Sequence, residues 1–307
     1  MGTKASQWRG AFFLMLAALI WGTAFVAQSV GMDYIGPCTF NAVRSYIGGL
    51  VLLPLIFWNR RLQAGKPQEA DPARGRKLLL GGGALCGLLL GAGSLLQQAG
   101  IQFTTAGKAG FLTALYIVIV PVLGIFLGRR PGLKVWIGVG IALVGAYLLS
   151  VTSDTTGGPA IGPGDLLVLL SAAFFSLHII VVDRVAPQVN GVELSCVQFF
   201  VAGLLSTVLA LCLEEPDFQG ILAAWGPLLY TGVLSSGVGY TCQILGQRSV
   251  SPTVASLILS LESVFAAAAG WLILQEPLSP KEIVGCVLVF AAVVLAQLPA
   301  GRKKTEA

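Results

Sequence analysis

The sequence predicts an all-α polytopic membrane protein with ten transmembrane helices arranged as two inverted five-helix repeats. Three observations carry the prediction. Of 307 residues, 55% are hydrophobic and 11% charged, against about 25% charged in an ordinary soluble domain, and the mean hydropathy is +0.83. Apolar runs long enough for a bilayer recur between polar or Gly/Pro breaks. Cations, finally, gather in alternate connections, the pattern that orients membrane proteins.

Lys4 and Arg9 precede the first run, from about Gly10 to Val30. It is too long for a signal-peptide core and no A-x-A site closes it, so it reads as a retained span. The second run, near 36–58, holds Asn41 and Arg44, and the only sizeable loop, Asn59 to Lys77, follows it. The third, near 77–98, carries small residues from Gly81 to Gly93 that suit close helix contacts, then Gln97 and Gln98. The fourth and fifth, near 107–127 and 133–150, hold Thr113, Tyr116 and a second run of small residues, Gly138 to Gly145. The second half repeats the sequence of spans near 164–184, 192–212, 221–243, 251–274 and 280–298. Its polar marks are His178, Tyr240, Gln243 and Glu262.

With the N-terminus cytoplasmic, nearly all Lys and Arg fall on the inner side; Lys108 and Lys281 are the outer exceptions and Arg44 lies within a span. Asp33, Asp154, Glu214, Glu215 and Asp217 fall outside, the last three reading as a solvated loop. This bias predicts an even span count and both termini in the cytoplasm. The net charge of +5 therefore serves orientation, not nucleic acid, for no basic face or aromatic-interleaved motif accompanies it. The six cysteines lie in or beside apolar runs without a C-x-x-C pair and read as small hydrophobes. With one histidine in the chain, no metal or other cofactor is expected.

Lys134 to Ser150 overlays Lys281 to Gln297 at a shift of 281 − 134 = 147, which places Leu115 against Glu262 and Tyr116 against Ser263. The stretch from Ala17 loosely matches that from Ser171, and Arg44 falls near Gln198. The units expected are 1–151 and 152–300, with a basic cytoplasmic tail at 301–307. Five spans per unit is odd, so the copies must sit in the membrane inverted, as in secondary carriers that bind solute near the midplane.

From "AALIWGTAFV" through "GFLTALYIVIVPVLGIFLGRR" to "SPTVASLILSLESVFAAAAGWLILQEPLSPKEIVGCVLVF", the chain resembles the EamA-type branch of the drug/metabolite transporter superfamily. The resemblance implies ten helices in two inverted repeats and movement of small metabolites without nucleotide hydrolysis; many such proteins export amino acids. Two departures stand out. Ser263 occupies the place after the ninth-helix glutamate where the family carries proline, which reads as a lost kink, and Arg129 and Arg130 stand where an acidic residue is usual in the first-repeat turn.

Glu262 is the one charge in its span, and a carboxylate at that depth costs about 2.5 to 3.5 kcal/mol on insertion scales. It serves proton coupling or substrate binding, or else packing alone. Arg44 either snorkels outward or pairs with Glu262, or it grips a substrate carboxylate with its planar fork. His178 is a packing residue or a proton relay, its titration near neutral pH suiting the second role. Trp21, Gln28, Asn41, Gln97, Gln98, Thr113, Tyr116, Tyr240 and Gln243 are candidates to line a midplane cavity, although polar residues also bridge helices in lipid.

Other classes lack their marks. There is no G-x-S-x-G, no second mid-span acid, no diphosphate-binding acidic cluster, no Walker motif and no filter-like segment. The expectation is a carrier, not an enzyme, in a bacterial-type inner membrane, taking small molecules and, as an open question, protons. Its most direct reading is amino-acid export by alternating access, as monomer or homodimer; the alternative is an importer or facilitator of an organic amine, vitamin or nucleoside-type solute.

Overall fold

The computed structural model describes residues 4–63, 72–104, 106–129, 131–150, 162–273 and 279–297. Helix α1 spans Lys4–Gly31, α2 Pro37–Gln63, α3 Pro72–Ile101, α4 Ala106–Ala114, α5 Tyr116–Phe126 and α6 Leu133–Ser150. In the second half α7 spans Pro163–Val185, α8 Gly191–Leu213, α9 Phe218–Ala223 and α10 Trp225–Leu229; a π-helical stretch, Tyr230–Tyr240, leads into α11, Thr241–Gln247. Then come α12 Pro252–Leu259, α13 Glu262–Ile273 and α14 Pro280–Gln297. Among the described residues no strand occurs.

Seven helical segments are long and apolar enough to cross a membrane, and Leu133–Leu148 is a shorter apolar helix. The expected span near 221–243 is divided among α9, α10, the π-helical stretch and α11, so it is no single long helix. Large apolar side chains such as Phe57, Leu211 and Val287 are mostly exposed, as suits an outer face whose solvent is hydrocarbon.

The halves interlock in matched pairs. Helix α3 packs on α7 and α8, while the π-helical stretch packs on α1 and α2; α2 packs on α8, and α6 on α14. Lipid offers no hydrophobic drive between helices, so close approach of backbones does this work. A Cβ on Gly22 would stand 2.6 Å from the Glu262 carbonyl oxygen, and one on Gly145 would stand 2.8 Å from that of Gly285.

Two expectations are corrected here. Glu214 is not a solvated loop residue: its carboxylate accepts from the Cys38 amide at 2.7 Å, the Thr39 amide at 2.8 Å and the Thr39 hydroxyl at 2.6 Å. The first N–H groups of α2 have no partner within their own helix, and a carboxylate there answers both their hydrogen bonding and the helix dipole. Asp217 similarly caps α9 through the Gln219 and Gly220 amides. Nor is the break after Ser260 lost for want of proline. The ninth segment is interrupted at Ser260 and Leu261 all the same. The Ser256, Ser260 and Ser263 hydroxyls bond the carbonyls of Thr253, Leu257 and Ser260, three residues back, and such back-bonding competes with the regular helical ladder. Lys66, Lys108, Arg130, Asp154, the Gln275-Glu276-Pro277 turn and the 301–307 tail lie outside what is described of backbone or side chain.

Candidate functional site

Two broken helices meet at the centre. Leu115 interrupts the fourth segment and Ser260–Leu261 the ninth, so Tyr116 opens α5 and Glu262 opens α13. In the 147-residue register Leu115 falls on Glu262, so the two breaks lie within two residues of corresponding places in the two halves. Interrupted spans at corresponding positions mark carrier binding sites. The Tyr116 hydroxyl donates to Glu262 Oε1 at 2.9 Å, and both residues are buried. The other carboxylate oxygen makes no hydrogen bond to protein among the described residues.

Arg44, on α2, is 6% exposed, so it does not snorkel, and no ion pair joins it to Glu262 among the described residues. Its Nε donates to Asn41 Oδ1 at 2.6 Å and its Nη1 to Gln28 Oε1 at 2.9 Å, while the guanidinium lies 5.9 Å from the Phe40 ring centroid. Gln28 is itself held: its amide nitrogen donates to the Ala24 carbonyl, and Gln98 donates to the Gln28 carbonyl at 3.1 Å. Nη2 is left without a protein acceptor among the described residues. The planar fork is thus aimed but not consumed.

Tyr240, at the end of the π-helical stretch, lines the same cavity as Arg44 and Glu262. Its ring sits 4.4 Å from Trp21, 6.0 Å from His178 and 5.5 Å from Phe199, centroid to centroid. Trp21 Nε1 donates to the Ser235 carbonyl at 3.2 Å within that stretch, and wide-turn helix of this kind is frequent at functional sites. His178 Nε2 meets Gln198 Oε1 at 3.0 Å; a carboxamide oxygen only accepts, so this nitrogen carries the proton. Gln97 donates to the Thr113 hydroxyl at 2.9 Å.

Trp21, Gln28, Arg44, Gln97, Thr113, Tyr116, His178, Tyr240, Gln243 and Glu262 line a single cavity, with Ala24, Phe25, Phe175, Ile179, Ser235 and Leu259 as its further wall. The centres of water-sized molecules have about 40 Å³ of it to occupy. Both halves contribute. Two sequence candidates stand outside the wall: Asn41 and Gln98 hold Arg44 and the Gln28 carbonyl from behind. Phe175 escaped sequence reasoning although the repeat register carries a signal for it: 175 − 21 = 154 and 178 − 24 = 154 set Phe175 against Trp21 and His178 against Ala24.

A model of the EamA-like transporter family matches residues 8–151 and again 162–298. An uncharacterized transporter of Archaeoglobus fulgidus is 30% identical over 286 residues, spanning 93% of this chain and 84% of its own length. The uncharacterized inner membrane transporter YedA of Escherichia coli is 25% identical over 300 residues, spanning 94% and 90%. A WAT1-related chloroplastic protein of Arabidopsis thaliana is 27% identical over 290 residues, spanning 92% of this chain and 67% of its own. One solved crystal structure superposes with a TM-score of 0.73 at 17% identity, over 94% of this chain and 96% of that one, a likeness of fold.

Proposed function

We propose, from the premise that the chain belongs to the EamA-like transporter family and is a membrane transporter of small solutes, that it exports amino acids by alternating access. The single observation that carries this reading is one buried cavity holding Arg44 and Glu262 unpaired to each other. A charge removed from water and left unmatched is costly, and a pair of opposite charges kept apart is matched by a zwitterion. In the proposed complex the guanidinium fork takes the substrate carboxylate and the Glu262 carboxylate, steadied by Tyr116, takes the ammonium. Trp21 and Tyr240 cover the remaining faces.

The proposed frame is ten crossings in two inverted units, 1–151 and 152–300, in an inner membrane with both termini cytoplasmic. The matched packing of the halves and the breaks at Leu115 and Ser260–Leu261, within two residues of the repeat register, support it. Rocking the units about the central cavity exposes it to each side in turn.

The test is counterflow in liposomes holding the purified chain, with amino acids, quaternary amines, nucleosides and vitamins as a panel. Amino acids are expected to exchange in the wild type, with Glu262→Gln losing most of that exchange. Exchange of a quaternary amine without amino acids would replace this reading with that of an amine carrier, and an unimpaired Glu262→Gln would remove the carboxylate from the binding role.

A further inference from the structure

Among the described residues five side-chain polar atoms are buried without a hydrogen-bond partner, on Asn41, Gln98, Gln198, Gln243 and Gln247. Four of these residues commit their other end: Asn41 to Arg44, Gln98 to the Gln28 carbonyl, Gln198 to His178 and Gln247 to the Ile179 carbonyl. Gln243 commits neither end to protein among the described residues. It is 1% exposed, and of the five it alone lines the cavity.

Its counterpart sharpens the point. Gln243 lies four residues before the end of α11 (247 − 243 = 4), and Gln97 four before the end of α3 (101 − 97 = 4). Gln97 also faces the cavity, yet its amide donates to Thr113. Buried polar groups in native proteins are almost always bonded, and a wholly unbonded carboxamide in a cavity wall points to a partner that arrives with the ligand. A carboxamide both donates and accepts, so it complements a group that does the same.

We infer that Gln243 is a specificity-determining residue that hydrogen-bonds a hydroxyl or carboxamide on the substrate's side chain, so that the carrier prefers polar amino acids to apolar ones of equal shape. The inference rests on the reading of Arg44 and Glu262 as the zwitterion's anchors. Sites built to bond a substrate hydroxyl discriminate strongly against the analogue that lacks it, because their own polar group is then stranded.

Threonine and valine, equal in shape and differing by that hydroxyl, are the probes. In counterflow with the full-length chain, KM for threonine is expected to lie at least about tenfold below that for valine, and Gln243→Met is expected to bring the ratio toward one by weakening threonine. A wild-type ratio near one, or a ratio that survives in Gln243→Met, overturns the inference while leaving amino-acid transport standing. Exchange of other amino acids but of neither threonine nor valine overturns the inference alone, and exchange of no amino acid overturns both readings. Should Gln243→Met fail to fold, thermal stabilisation of the wild type by threonine against valine decides the same question, a larger rise with threonine supporting the inference and equal midpoints overturning it.

Discussion

The hydroxyl of Tyr116 is the only protein donor on Glu262 among the described residues, which makes a one-atom change informative. Tyr116→Phe keeps the ring and strands a carboxylate oxygen, and hydrogen bonds to charged groups contribute about 1.5 to 3 kcal/mol. Counterflow in Tyr116→Phe is therefore expected to show KM raised at least about tenfold, and an unchanged KM would detach Tyr116 from the site. Arg44→Lys keeps the charge but loses the fork that reaches Asn41 and Gln28 together; protein yield should hold while transport falls, and wild-type kinetics would refute the role of the fork. At this scale the sequence was legible wherever a polar group interrupted an apolar run, as at Glu262, Arg44 and Gln243. It could not say which side of its helix such a group takes. Asn41 and Gln98 carry the same signal as Gln97 yet stand behind the wall, because a polar side chain in lipid announces that it has a partner and not what the partner is. Phe25, Ile179 and Leu259 in the wall carry no composition signal at all.

Helix breaks were harder to read than helix positions. Proline is a visible interruption, whereas three serines spaced so that each hydroxyl reaches the carbonyl three residues back look like ordinary small residues in an apolar run. The break before Glu262 makes a specific prediction about Ser263. Its amide lies in the first turn of α13 and makes a 3.2 Å bond to the Ser260 carbonyl, so Ser263→Pro removes little and should leave the thermal midpoint near that of the wild type. Ala267→Pro, in the interior of the same helix, removes a regular bond and should cost about 3 kcal/mol. Equal loss in the two variants would mean the turn at Ser260 is not a real interruption. The cap on α2 is the second test at this scale. Glu214→Ala strands the Cys38 and Thr39 amides, and removing a helix N-terminal acceptor costs about 1 to 2 kcal/mol; thermal unfolding in detergent should move down by a few degrees, whereas Glu215→Ala, exposed and without a comparable contact among the described residues, should not.

Across the whole molecule the two counterpart helices α2 and α8 are tied at both ends in opposite sense. Glu214 follows the C-terminal end of α8 and caps the N-terminal end of α2, while Arg60 near the C-terminal end of α2 pairs with Glu193 in the first turn of α8 at 2.8 Å. They therefore run antiparallel. Second and seventh spans that oppose each other are what inversion of a five-span unit requires, since a unit with an even number of spans would set them parallel. The charge pattern predicts the same inversion from loops alone, and neither source sees the membrane. Labelling does. Five crossings separate Arg61 from Glu215 in the proposed topology, so cysteines placed there must face opposite sides. With Cys212 replaced by serine, because it is the exposed native thiol among the described residues, Glu215→Cys should react with an impermeant maleimide in intact cells. Arg61→Cys should react only after permeabilisation. Reaction of both in intact cells would give an even number of crossings between them and break the inverted repeat; the reverse pattern would keep the repeat and turn the molecule over, placing both termini outside.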